Sequence, residues 1–357
     1  MNTSRSISIL SMTVLCALLI AGAYFFTYRS SRAVANKKVI AVLYPYDFVA
    51  AERMCLGIQE ASTSGLYARH VIVRTFGFDV YDKMRVLATV ETVLEQKPAV
   101  ILAIGGTVTL ALKETMAKRG IHIPVVFAGV TVAVEWGLVE SYEHPGGLMT
   151  GVDSIDELGV DIQSKLICIT KPTVQKVLIP YIASTDPRDM RSELIAASIK
   201  EYLETRGIQV TVVALSGASN ILDTVAELLP GHDMLCSLEI DGLSQLSAGF
   251  SKLCSQAGVT FFCGGLNGTT FDAAISFGID PKPIGATLFS MASEIVFDGK
   301  NPADMPVVVL TVCRDLYINL LTAPSQGYWP DFGQIVRDLV ADPETASIVQ
   351  RLHIVNT

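Results

Sequence analysis

The sequence contains no Cys-x-x-Cys pair, and none of its five histidines (His70, His122, His144, His232 and His353) stands at ligand spacing from a cysteine or carboxylate. That pattern argues against a metal site, whose ligands recur at short fixed intervals. Gly-x-Ser-x-Gly, His-Glu-x-x-His and Gly-x-Gly-x-x-Gly are also missing, and no Gly-Lys-[Ser/Thr] follows Gly105-Gly106. No motif therefore announces a hydrolase nucleophile, a zinc protease, a dinucleotide fold or a P-loop. Charge is sparse, at 17% of residues, and its balance is −8, which excludes the basic footprint of a nucleic-acid binder. There is no low-complexity linker and no repeat with a period of about 20–50 residues. Nothing in the chain calls for a cofactor, and the residues offer no catalytic constellation.

What is present is apolar. Half of the 357 residues are hydrophobic, enough chain and enough core for two domains. Cys16 lies in an N-terminal apolar run, and the other six cysteines (Cys55, Cys168, Cys236, Cys254, Cys263 and Cys313) mostly sit among apolar neighbours. They read as buried free thiols; export would permit a disulfide, but sequence alone does not pair them.

Residues 7–26 form an uncharged run preceded by Arg5 and followed by Arg29, Arg32, Lys37 and Lys38. A run of about 20 residues matches the ~30 Å hydrocarbon core of a bilayer. Two readings stay open for residues 1–36. One is an uncleaved signal anchor that holds the protein to the membrane through 7–26. The other is a signal peptide cleaved after Ala33-Val34-Ala35. Both place residues 37–357 outside the cytoplasm, in the periplasm or at the cell surface.

From Lys37 onward, short β-branched runs alternate with helical periodicity. Strands are expected at 39–44, 71–75, 100–104 and 124–128, with helices at 48–62, 81–96 and 108–118. The rhythm restarts after Thr150-Gly151-Val152-Asp153, with helices at 158–169, 190–206, 221–229 and 243–257 and strands at 176–181, 209–213, 234–237 and 259–263. Alternation of this kind implies α/β lobes, each a doubly wound parallel sheet covered by helices on both faces. The expected lobes are 37–153 plus about 280–306, and 154–279 plus about 307–322, joined by a hinge. A helix at 283–297 and a strand at 307–311 read as returns between them, and 323–357 as a helical tail.

Ligands of open α/β sheets bind beyond the carboxyl ends of the strands, which nominates particular loops. Gly105, Gly106 and Thr107 join a strand to a helix, where bare backbone N–H groups can meet an anion such as a carboxylate; Thr107 reads equally as an N-cap. Gly129 and Thr131 follow the next strand. Asp47 is placed either to pair with an ammonium group or to cap a helix. Tyr44, Tyr46 and Trp136 offer aromatic faces for a ligand or for packing. In the second lobe Asp186, Glu239, Asp241 and Asn267 follow strands, as cleft groups or as ordinary loop polar residues.

Several stretches carry a family resemblance. They are Ile123-Pro-Val-Val-Phe-Ala-Gly-Val-Thr131, Gly137-Leu-Val-Glu-Ser141 and Pro145-Gly-Gly-Leu-Met-Thr-Gly-Val152. Further on come Gly285-Ala-Thr-Leu-Phe-Ser-Met-Ala-Ser293, Asp298-Gly-Lys-Asn-Pro-Ala-Asp-Met-Pro306 and Tyr317-Ile-Asn-Leu320. Together, over about residues 37–322, the chain resembles the ABC transporter substrate-binding family that includes proteins for tryptophan and other aromatic amino acids. It departs from that pattern where Val132-Ala133 stand in place of an Asp-Pro, in having no lipobox, and in its tail. The resemblance implies a type I periplasmic binding protein fold with three crossings between lobes. It also implies a non-enzymatic role in an importer with separate permease and ATPase subunits, and a small-molecule ligand, an amino acid first of all. A binding protein that signals to a membrane receptor or kinase is the alternative, with an enzyme on the same fold as a third reading.

Overall fold

The computed structural model describes residues 37–46, 48–79, 82–130, 133–153, 157–183, 191–215, 221–238, 243, 246–265, 269, 272–309 and 314–356. The apolar run at 7–26 lies outside them. No helix among the described residues is long and apolar enough to cross a membrane.

The first lobe begins with β1 (Lys38–Pro45), α1 (Val49–Ser64), β2 (Val71–Phe78), α2 (Lys83–Glu95), β3 (Val100–Ile104), α3 (Gly106–Arg119), β4 (Val125–Val130) and β5 (Met149–Asp153). The second follows as α4 (Glu157–Thr170), β6 (Lys176–Ile182), α5 (Arg191–Glu204), β7 (Gln209–Leu215), α6 (Ile221–Leu228), β8 (Met234–Ser237), α7 (Ser247–Ala257), β9 (Thr260–Gly264) and β10 (Ile275–Ile279). The chain then returns as α8 (Pro281–Phe297) and β11 (Val308–Val309), and crosses again to β12 (Arg314–Asn319), α9 (Phe332–Ala341) and β13 (Leu352–Val355).

The first sheet runs β2-β1-β3-β4-β5-β11, all parallel. Its strands alternate between two buried faces. Ile40 and Val42 pack with Met54, Ile58, Leu288 and Ala292 of α1 and α8, whereas Ala41 and Leu43 pack with Val86, Val90 and Leu112 of α2 and α3. Helices α1 and α8 touch backbone to backbone. A methyl group on Gly57 would overlap the carbonyl oxygen of Lys282, and one on Gly285 that of Met54. Only hydrogen at these two positions allows so close a crossing.

The second sheet runs β7-β6-β8-β9-β10-β12-β13, with β12 antiparallel to β10 and β13 parallel to β12. In both sheets the order reverses next to the opening strand, so the topological switch points fall between β1 and β3 and between β6 and β8.

Two segments differ from the sequence reading. Val308 and Val309, expected in a strand of the second lobe, pair with Val152 and Asp153 of the first sheet. The segment is tethered there beforehand: Thr150 donates its hydroxyl to Met305 O (2.7 Å) and Val307 N–H donates to Tyr142 O (2.7 Å). Residues 310–311 lie outside the described set. The stretch 323–356 is built into the second lobe instead of trailing from it. Ile335, Leu339 and Ile348 are buried in that lobe's core, and β13 extends its sheet. The fully buried Gln326 fastens the segment, its Oε1 accepting from Phe261 N–H (3.2 Å) and Ala274 N–H (3.0 Å).

Candidate functional site

The crossings turn the carboxyl edges of the two sheets toward one another. Helix α4 ends at the amino edge of the second sheet: Lys171, just past it, donates to Asp233 O (2.9 Å) and to Thr260 Oγ1 (2.7 Å). Helix α8 ends at the amino edge of the first, where Phe297 stacks on Tyr67 ahead of β2 and Tyr67 donates to Asp298 (2.9 Å). Both helices therefore start at carboxyl edges. Each is entered from the carboxyl end of a strand in the other lobe, α4 from Asp153 across 154–156 and α8 from Ile279 across Asp280 alone. At roughly 3.5 Å per residue these links reach about 14 Å and 7 Å. The switch points of both sheets thus lie on the facing edges.

On the first lobe the edge is built of glycine and one tryptophan. Gly105 is the N-cap of α3, with φ 108°, and no side chain caps it. Its N–H donates to Ala128 O (2.8 Å), and its carbonyl accepts from Thr109 N–H (3.2 Å) and the Thr109 hydroxyl (2.7 Å). The Thr109 amide makes the first intrahelical bond, so the N–H groups of Gly106, Thr107 and Val108 precede the ladder and form the positive end of the helix. Thr107, one reading of which was the N-cap, is an exposed residue of the first turn. Gly129, with φ 67°, is the penultimate residue of β4 and lies beside Gly105: a methyl group there would stand 3.4 Å from Gly105 N. The ring of Trp136 lies directly over Gly106, where any side chain would collide with its Cζ3 and Cη2 atoms. The structure thus brings Gly105, Gly106, Gly129 and Trp136 together.

Tyr44 and Tyr46 stand apart from this cluster, toward the edge strand. Both rings lean on Gly77 of the edge strand β2, Tyr46 Cδ1 lying 3.4 Å and Tyr44 Cζ 3.5 Å from where a Cβ would stand. Tyr44 packs on the α1 side, and its phenol is pushed up by burial and then by the neighbouring Cys55 and Glu52. Tyr46 lines a pocket of about 540 Å³ with Phe76, Arg85 and Thr89, on the α2 flank. Asp47, Thr131, Asp186, Glu239, Asp241 and Asn267 lie outside the described residues.

Two residues that sequence reasoning did not single out shape this edge. Asp153, fully buried at the end of β5, accepts the N–H of Ala133 on Oδ2 (3.1 Å) and so ties the loop after β4 to the first crossing. An acid closing an otherwise uncharged strand was the available signal. Lys113, on α3, donates to the carbonyls of Trp136 (3.4 Å) and Gly137. Its signal was weaker: it stands two helical turns beyond Gly106, on the same face. Among the described residues no group of three or more His, Cys, Asp or Glu is placed to hold a metal ion.

Comparison with known proteins agrees with this architecture. The family of ABC transporter substrate binding proteins matches residues 40–328. A curated tyrosine-binding protein of Clostridioides difficile is 26% identical over 189 residues, covering 53% of this chain and 52% of the relative, so the match spans about half of that protein's length. Among solved structures, a conserved domain protein from Vibrio cholerae superposes with a TM-score of 0.72 at 18% identity, covering 90% of this chain and 100% of that one. An ABC domain from Streptococcus pneumonia in complex with L-Trp gives 0.71 at 18% identity, covering 89% and 100%. A ligand-free, open substrate-binding protein with adhesive properties from Clostridium difficile gives 0.61 at 17% identity, covering 90% and 99%.

Proposed function

Because this chain belongs to the ABC transporter substrate-binding protein family, whose members are extracytoplasmic solute-binding proteins and not enzymes, we propose that it captures a free amino acid, preferably an aromatic one, for an importer. Permease and ATPase subunits would receive the ligand, and residues 7–26 would hold the protein at the membrane or direct its export. The observation that carries the reading is the uncapped start of α3, roofed by Trp136, at a carboxyl edge that faces the other lobe. A ligand carboxylate would accept from the amides of Gly106 and Thr107, helped by the helix dipole. An aromatic side chain would lie against the Trp136 indole. The ammonium group would meet a carboxylate, for which Asp47, Asp186, Glu239 and Asp241 remain the candidates, and Asn267 remains a candidate polar contact. Contacts to both lobes would favour the closed arrangement, since a ligand shifts the equilibrium only by its differential affinity for the two forms. The names of the tyrosine-binding relative and of the L-Trp complex support the ligand class.

Isothermal calorimetry with each amino acid in turn tests the assignment. Tyrosine, phenylalanine or tryptophan is expected to bind more tightly than aliphatic or charged amino acids. Failure of every amino acid, alongside tight binding of a sugar or nucleoside, would retire the ligand class and leave the fold untouched.

A further inference from the structure

We propose that Lys113 is a positioning residue of the ligand site, holding the Trp136 indole over the start of α3; the proposal deepens the amino-acid reading and, for its effect on affinity, rests on it. Residues 133–139 fold into a compact turn: Gly137 N–H donates to Val134 O (2.8 Å), and Leu138 N–H to Ala133 O (2.8 Å). The turn is fastened at its entrance by Asp153, through Ala133 N–H, and at its exit by the buried Leu138 and Val139. Trp136 and Gly137 form its apex, between these anchors, and the apex carbonyls are where the Lys113 ammonium group donates.

The spacing explains why a lysine at this position suits the task. Gly106 and Lys113 are seven residues apart on α3, close to two full turns, and so share one face about 10 Å long. The backbone of Trp136 is held at the Lys113 end of that face, and the tip of its benzo ring rests on Gly106 at the other. One rigid helix therefore supports both ends of the same residue. Gly137 completes the arrangement, with φ 61° and with Lys113 Nζ 3.1 Å from where its Cβ would be. A side chain at 137 would press on the ammonium group. Removing the charge would take away the Lys113 hold on the apex while leaving both anchors intact, so the indole would be held less firmly without the lobe unfolding.

The chain has two tryptophans, and the other, Trp329, is 77% exposed. A Trp329→Phe protein therefore reports on Trp136 alone. In that background Lys113→Met is expected to shift ligand-free emission to the red and raise acrylamide quenching about twofold, with Lys113→Arg restoring both. L-Tyrosine, titrated with excitation confined to tryptophan, is expected to bind Lys113→Met about tenfold more weakly, with the melting temperature little changed. Unchanged emission and quenching in Lys113→Met would overturn the proposal, as would an affinity loss that merely follows a drop in melting temperature. If the parent binds no amino acid, the ligand assignment fails, yet the ligand-free emission still decides whether Lys113 positions the indole.

Discussion

Arg53 of α1 grips the carboxylate of Asp280, its Nη2 and Nε lying 2.9 and 3.0 Å from Oδ1. Asp280 is the single residue between β10 and α8, and the same oxygen accepts from Lys282 N–H (3.0 Å) as the N-cap of α8. The crossing between lobes is thereby fixed to the first lobe from two directions.

The two contributions separate by substitution. Both side chains of the pair are partly exposed, at 41% and 36%, so the ion pair contributes at most about 1 kcal/mol. Asp280→Asn keeps a capping oxygen and should cost less than about 1 kcal/mol, whereas Asp280→Ala loses cap and pair and should cost about 1–2 kcal/mol. Urea unfolding measures both. Equal losses in the two variants would show that capping contributes nothing here.

The crossing of α1 and α8 gives a sterically sharper test. Gly57→Ala and Gly285→Ala each place a methyl group inside a main-chain carbonyl, and neither neighbour is a flexible side chain that can swing away. Each should destabilise by about 1–3 kcal/mol. Gly147→Ala is the control: nothing lies within 4 Å of its Cβ position and its φ is not positive, so a change within about 0.5 kcal/mol is expected. Alanine at 57 or 285 tolerated as well as at 147 would mean that the helices do not cross this closely.

How far the sequence could be read depends on what each segment says locally. The strand–helix alternation was legible for β1 to β4 and for β6 to β9 because each of those buried strands is a short β-branched or apolar run and the helices between them have a 3.6-residue period. Strands β5, β10, β12 and β13 gave no such signal. Ile275-Ser-Phe-Gly-Ile279 has a glycine and a serine inside it, and β12 and β13 mix Arg314, Asp315, Asn319 and His353 with their apolar residues. Their pairing is decided by partners far away in the chain. The same division holds at the site. Gly105, Gly106 and Gly129 were legible because they stand where β3 and β4 reach the carboxyl edge of the sheet, the place where ligands of open α/β sheets are expected. Lys113 and Asp153 act through contacts twenty or more residues distant, and the preference of Tyr44 and Tyr46 for Gly77 depends on a neighbouring strand that has no side chain there.

The cysteines yield a chemical prediction. Burial and then Glu52 push the Cys55 thiol up to about 12, burial holds Cys236 at about 12, and Cys254 is raised by burial as well. Thiolate, the reactive form, is therefore scarce near neutral pH. Cys236 and Cys263 stand on adjacent strands, but Cys263 is in register with Ser237, so the two side chains leave opposite faces of the sheet and cannot bridge. In the native protein Cys55, Cys236 and Cys254 should react with iodoacetamide at least about a hundredfold more slowly than after unfolding, read residue by residue by mass spectrometry. Fast native labelling of Cys55, or a Cys236–Cys263 disulfide peptide, would contradict this packing.

The segment beyond 322 should show its attachment in the pH dependence of stability. Lys165 of α4 sits 2.8 Å from Asp342 and 2.9 Å from Glu344, just after α9. The Asp342 carboxyl is held below its ordinary 3.8, mainly by its bond to Lys165, while partial burial opposes the shift. The Lys165 ammonium is raised above its ordinary 10.5, chiefly by Asp342 and again against burial. A depressed carboxyl stabilises the folded state above its unfolded value and loses that effect as pH falls through the lower folded value. A raised ammonium stabilises below 10.5 and loses its effect only at more alkaline pH. Between about pH 5 and 10 both contributions are complete. Lys165→Met should therefore cost up to about 1 kcal/mol at pH 7, and the gap from the parent should narrow as pH falls below the ordinary 3.8 of an Asp carboxyl and Asp342 takes up its proton. Urea unfolding of both proteins from pH 2 to 8 reads the difference directly. A gap that stays constant down to pH 2 would mean that Lys165 acts by packing alone and that the ion pairs do not tie this segment to the lobe.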